Sequence, residues 1–295
     1  METYFRFSIT SAQLTEELND KLQFQKLAER LGLPVPAAVI VHPMTDESPP
    51  ELPFAYPIVV KPTTRSVHHW SDDGGKASLV SSRAELDVLW SKLARNDSQF
   101  VIQELVVGPE SKVVSYHAYV ADDGTVVGEF TGEKIRTKPA VFGHSSSVRV
   151  LSLPAVREVG RDLIARLDFK GVLKFDFKIR PDGGFALFEV NTKFNLWHLP
   201  GAIAGVNIPA LVYDDLMGNG RPVEKSIERE GVVWCKLWDD LPVALEEGLP
   251  FLQWLRWVRT VDSVRDLALN DPMPSVGLFL IGVHRGLTRV RRALG

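Results

Sequence analysis

Two acidic residues, Asp176 and Glu189, lie in the segment GVLKFDFKIRPDGGFALFEVN, with Asn191 two positions beyond Glu189. Hard oxygen donors of this kind suit Mg²⁺, which takes one or two carboxylates and completes its shell with substrate phosphates. Val172 to Arg180 alternates Lys174, Asp176, Lys178 and Arg180 with Leu173, Phe175, Phe177 and Ile179, the period of a half-buried strand. Pro181-Asp182-Gly183-Gly184 is turn chemistry, and Phe185 to Asn191 resumes an extended run. An even-length turn centred between Asp182 and Gly183 sets Asp176 opposite Glu189 and Lys174 opposite Asn191. Like charges so opposed weaken a sheet, and a divalent cation between them turns that penalty into a binding site. An odd-length turn undoes the pairing, and a solvated hairpin face with neighbouring lysines collects the same residues.

Cations suited to phosphate occur earlier in the chain. Lys61 ends the β-branched run YPIVVKP, and Lys21 begins a helical pattern; an ammonium is a compact point charge for polyphosphate oxygens. Each alone is more often a solvated lysine than a ligand. Gln103-Glu104-Leu105-Val106 leaves a buried strand and enters a connector whose backbone can meet a nucleobase edge, with Glu110 placed to accept from ribose hydroxyls. Lys134 and Arg136 alternate on one strand and so share a face, as a clamp for phosphate or carboxylate or as a solvated edge. The loop Thr63-Thr64-Arg65-Ser66 is no Walker motif, and His68-His69 lacks companion ligands for zinc. No GxSxG elbow is present, and Cys235 has no histidine and acid context, which argues against ordinary hydrolase chemistry.

Positioning these groups takes a chain able to bury a core. At 295 residues, with 45% hydrophobic and 24% charged, this is the composition of a globular protein of one sizeable or two smaller domains. The net charge of −3 argues against a general nucleic-acid binder. One cysteine excludes an internal disulfide framework, and the start METYFRFSIT lacks signal-peptide regions, so a cytoplasmic location is expected. No apolar run approaches the length of a membrane span.

The spacing predicts a helix in KLQFQKLAERLGLPVP, preceded by Asn19-Asp20 and ended at Gly32, then strands at 37–41, 56–62 and 76–80, a helix over 83–94 and a strand over 100–104. A hairpin is expected over 112–120 and 125–132, another strand through Lys134 to Arg136, and helices over 155–167 and 208–216. Beyond Gly220-Arg221-Pro222 nothing in the Trp-rich remainder reads as chemistry.

Taken in order, Asp20-Lys21 before a helix ending LGLPVP, PIVVKP through Lys61, VIQELVVGPE, and GVLKFDFKIRPDGGFALFEVN resemble the ATP-grasp superfamily over about Asn19 to Gly218. FTGEKIRTKPAVFG and NLWHLPGAIAGVN make the chain more similar to predicted carboxylate–amine ligases of the D-aspartate ligase and carbamoyl phosphate synthase type than to purine enzymes. The resemblance implies an α+β ATP-grasp fold in residues 1–218, with a lid lobe at about 56–107 and a metal-binding core lobe at about 108–218, and a C-terminal extension over 219–295. It implies that Lys21 and Lys61 contact ATP phosphates, that Gln103 and the Glu104, Leu105 and Val106 backbone meet adenine, and that Glu110 takes the ribose. It further implies that Asp176, Glu189 and Asn191 hold Mg²⁺, with Mn²⁺ as a substitute. Lys134, Arg136, Lys174 and Lys193 then orient an acyl phosphate, made from a carboxylate and attacked by an amine to give an amide.

Three departures qualify this expectation. Glu189-Val190-Asn191-Thr192-Lys193 stands where many relatives read Glu-x-Asn-Pro-Arg, losing Arg's bidentate geometry. The loop after Lys61 is Thr-rich where many members are Gly-rich. About twenty residues precede Lys21 where relatives usually carry an α/β domain, which implies a partner protein, a homo-oligomer or hetero-complex, or a bulky or carrier-bound substrate. Two other readings are an ATP-grasp phosphotransferase and a non-catalytic nucleotide-binding subunit.

Overall fold

The computed structural model describes residues 6–63, 77–95, 97–109, 112–140, 143–221 and 225–264, together with Met273 and Gly277. Two helices open the chain, α1 (Ala12–Asn19) and α2 (Lys21–Leu31). Asp20 caps α2 by accepting from the Gln23 amide, and Gly32 ends it at φ 62°, a left-handed conformation that glycine adopts at little cost. A four-stranded antiparallel sheet follows from β1 (Ala38–Val41), β2 (Ile58–Pro62), β3 (Ser78–Val80) and β4 (Phe100–Glu104), in the order β1-β4-β2-β3. One helix, α3 (Arg83–Leu93), covers it. Leu86, Trp90 and Leu93 of that helix bury with Ile58, Val60, Phe100 and Ile102 of the strands. This small lobe therefore has a core of its own.

The second sheet holds β5 (Val113–Val120), β6 (Val126–Lys138), β7 (His144–Leu151), β8 (Gly171–Ile179) and β9 (Phe185–Asn191), with α4 (Pro154–Leu167) between β7 and β8. After β9 come α5 (His198–Ile203), α6 (Ile208–Met217), β10 (Val233–Cys235), α7 (Leu237–Glu246), α8 (Phe251–Val258) and β11 (Ser263–Val264). The strand order is β11-β10-β7-β6-β5-β8-β9. One face packs Val114, Tyr116, Leu173, Phe175 and Phe177 against α4 and the two N-terminal helices. The opposite face carries Lys174 and Asp176, and its apolar part packs Phe130, Val148 and Val150 beneath Trp197, Ile208 and Leu211.

The expected strand through Lys134 to Arg136 is continuous with the hairpin strand before it, as one 13-residue β6 whose register shifts between Lys134 and Arg136. Among the elements the sequence does not announce, the strands β7, β10 and β11 share a reason: they are short or mixed in polarity, and tertiary pairing makes them strands. β10 pairs with β7, placing the segment after 220 at the edge of the central sheet. No helix among the described residues is long and apolar enough to cross a membrane.

Candidate nucleotide and metal site

The hairpin of β8 and β9 faces Asp176 to Glu189 and Lys174 to Asn191, but not by an even turn. Nearest the turn, Ile179 faces Phe185 and Phe177 faces Leu187, a register centred on Asp182 and therefore odd. Phe188 is the extra residue of a β-bulge, which shifts the ladder by one and restores the Asp176–Glu189 pair. The bulge lets Leu187 and Val190, three positions apart, both enter the core, while Glu189 stays exposed.

Strand registers lay out the site row by row. Asn191, Lys174, His117 and Phe130 face one another across β9, β8, β5 and β6; the next row holds Glu189, Asp176, Ser115 and Gly132. Asp176 is buried, accepting from Ser115 Oγ at 2.5 Å and from Lys174 Nζ at 2.7 Å. Burial pushes its carboxyl upward, yet the charges of Lys174 and Lys134 and the two hydrogen bonds outweigh it and hold the pKa below the ordinary carboxylate value. Asp176 is thus an anion inside the sheet face. Lys174 Nζ also lies 5.6 Å from the centre of the Trp197 ring.

Two lysines approach from the other side, Lys61 from the small lobe and Lys21 from the start of α2. Lys61 Nζ donates to Gln103 Oε1 at 2.8 Å and lies 5.8 Å from the Phe188 ring centre, while Lys21 Nζ donates to the Pro62 carbonyl at 2.5 Å. Burial chiefly, then repulsion from Lys21, lowers the Lys61 pKa to about 8, with Glu189 acting in the opposite sense. Two ammonium groups held close enough to depress one of them make a site for a polyanion. Glu104 accepts from Arg180 Nη2 at 2.5 Å, tying β4 to the end of β8, and Leu187 N donates to the Pro34 carbonyl at 2.8 Å. Leu105 is half-buried and Val106 buried at the start of the connector; Glu110 lies outside the described residues.

Lys21, Lys61, Gln103, Lys134, Lys174, Asp176, Glu189 and Asn191 are therefore brought to one region, and Glu104 borders it. Arg136 is not brought there. The shift in β6 breaks its alternation with Lys134, and its guanidinium makes a bidentate pair with buried Asp240, Nε to Oδ1 at 2.9 Å and Nη2 to Oδ2 at 2.7 Å. Ser146 Oγ and Trp254 Nε1 complete the Asp240 shell, and the Trp257 ring lies 4.2 Å from the Arg136 guanidinium. Shared alternation was the sequence reason for grouping it with Lys134, and the bulge removes that reason. Lys193 stands exposed after β9. Sequence reading missed Ser115, His117, Trp197 and His198, which join the site only through strand register and the docking of α5.

Among the described residues no cluster of three or more His, Cys, Asp or Glu is present. Two carboxylates and the Asn191 amide would instead suit a cation that completes its shell with phosphate oxygens and water, a donor set compatible with Mg²⁺. Bound there, the ion would neutralise phosphate charge during phosphoryl transfer.

Two α+β lobes, one carrying Lys61 and the other the paired carboxylates, have the ATP-grasp fold, and solved structures with that fold match this chain. N5-carboxyaminoimidazole synthetase from Staphylococcus aureus superposes with a TM-score of 0.59 at 18% identity, over 78% of this chain and 59% of that one. In sequence the chain is 24% identical over 267 residues to a D-aspartate ligase of Enterococcus faecium, covering 87% of this chain and 62% of that protein. It is 26% identical over 180 residues to a D-alanine–D-alanine ligase of Stutzerimonas stutzeri, covering 59% of this chain and 54% of that protein. The chain thus spans about three fifths or less of the length of these curated relatives. No family model matches it.

Titration of Lys61 has a measurable consequence. Above pH 8 the free protein loses this ammonium, so ADP affinity is expected to weaken about tenfold between pH 7 and pH 9 if only the charged form binds phosphate. Lys61→Arg, charged throughout this range, should flatten the profile. Calorimetric titrations at several pH values check this, and an unchanged wild-type affinity would exclude Lys61 from phosphate contact.

Proposed function

We propose that this protein is an ATP-dependent ligase that activates a carboxylate as an acyl phosphate and joins it to an amine. The observation carrying this reading is the convergence of Lys61 from the small lobe and Lys21 from α2 on the Asp176–Glu189 pair of the large sheet. Lys21 and Lys61 bind the polyphosphate, and Gln103 with the Glu104 to Val106 backbone borders the nucleobase. Asp176, Glu189 and Asn191 hold Mg²⁺. Lys174 and Lys134 flank the anionic Asp176 and face the position where charge develops on the transferred phosphoryl group. Carboxylate oxygen leaves poorly and phosphate leaves well, which is the reason for spending ATP. The small lobe excludes water from the hydrolysable intermediate.

Similarity to the D-aspartate ligase over 87% of this chain makes D-aspartate the first acid to test, with D-alanine the second. Hydroxylamine intercepts an acyl phosphate as a stable hydroxamate. Incubation with Mg-ATP, hydroxylamine and an acid panel should release ADP and hydroxamate in equal amounts for at least one acid. ADP release with a phosphorylated acid and no hydroxamate would instead identify a phosphotransferase.

A further inference from the structure

Four ring nitrogens lie without a hydrogen-bond partner beside Lys174. His117 is fully buried and His198 is 5% exposed, and neither Nδ1 nor Nε2 of either ring is paired. Leaving a buried polar atom unpaired costs roughly 1–3 kcal/mol, so two adjacent rings in this state call for an explanation. The pair sits in the site. His117 faces Lys174 across β5 and β8, and His198, the first residue of α5, lies edge-on to it with centroids 6.0 Å apart.

The surroundings of the two rings are aromatic. His117 stacks on Phe130 at 4.3 Å and lies 5.1 Å from Trp197, while Phe194, 54% exposed, meets His198 edge-on at 5.5 Å from the solvent side. Trp197 already attracts one ammonium, that of Lys174. Both imidazoles are neutral: burial first, and then the Lys174 charge, lowers their pKa values, that of His198 to about 4. Lys174 and the two rings themselves are the titratable groups acting on the pair. Aromatic faces and free imidazole lone pairs are the chemistry of an ammonium receptor that also takes a proton.

We propose that the amine substrate docks as its ammonium at the exposed edge of this cluster, against Phe194 and His198, and that His198 accepts its proton; the inference rests on the ligase reading above. Phosphate anions beside Lys174 offset the positive charge that keeps the imidazole neutral, which raises its basicity when the site is loaded. The ammonium gives one N–H proton to the imidazole lone pair, and the freed amine attacks the acyl carbon. The C–N bond forms, the C–O bond to phosphate breaks with its electron pair on phosphate, and the second N–H proton leaves with the phosphate.

Methylamine and hydroxylamine separate binding and deprotonation from the earlier steps, since at neutral pH the first is almost wholly ammonium and the second largely unprotonated. With Mg-ATP and the acid giving most hydroxamate, His198→Gln should lower the methylamide-to-hydroxamate ratio on the order of 100-fold. A ratio within about twofold of wild type, or wild type forming hydroxamate but no methylamide at any pH, overturns the inference. Wild type forming neither hydroxamate nor ADP removes the ligase reading itself. Should His198→Gln lose its melting transition, Phe194→Ala at an exposed position carries the test. Its KM for methylamine should rise about three- to fivefold relative to that for hydroxylamine, and equal changes in both overturn the inference.

Discussion

Glu189→Gln is expected to lower Mg²⁺-dependent ADP release by about 100- to 1000-fold while leaving the melting temperature almost unchanged. Glu189 is exposed and faces Asp176 across the hairpin, so the substitution removes the charge of a proposed metal ligand without opening the core. Asp176→Ala should abolish turnover too, but by a route that also unfolds. Lys174, 8% exposed, would lose the carboxylate 2.7 Å from its ammonium, and breaking a buried pair on one side costs roughly 3–5 kcal/mol. The two variants together therefore separate ligand loss from structural damage. Wild-type-like turnover in a folded Glu189→Gln protein would remove Glu189 from the metal site.

Asp240→Ala is expected to destabilise the protein by about 3–5 kcal/mol, a fall in Tm of roughly 10 °C. Asp240 is fully buried and holds both arms of Arg136, with Ser146 and Trp254 donating to the same carboxylate. Burial pushes its pKa up, but Arg136 and the other donors outweigh it and keep the group an anion. Truncation leaves Arg136, itself only 8% exposed, as an uncompensated buried charge. The double variant Arg136→Met with Asp240→Leu should recover most of the loss, because well-packed apolar residues often replace a buried ion pair without penalty. Thermal melts of the three proteins check this. An unchanged Tm for Asp240→Ala would show that this pair does not hold α7 to the central sheet.

Much of this arrangement is legible before any coordinates. Alternation from Val172 to Arg180 marks β8 and puts Lys174 and Asp176 on one face, because a buried sheet face accepts only every second side chain. Asp20 and Gly32 bound α2 through local hydrogen bonds that need no partner element. In contrast, β7 carries His144-Ser145-Ser146-Ser147, which has no strand preference until β6 and β10 pair with it on both sides.

The sequence by itself determined which residues are candidates for the chemistry: the two carboxylates, the amide beyond them, and the lysines near the ends of short apolar runs. These follow from residue type and local period, both written along the chain. Tertiary structure decided which of them meet. An odd turn would have separated Asp176 from Glu189 had Phe188 not bulged, and the shift near Lys134 took Arg136 from the site to Asp240. His117 and His198 came together only because α5 docks on the β5–β6 surface. A one-residue change of register reverses every side chain beyond it, and what absorbs that residue is the packing of both faces at once, which local pattern does not encode.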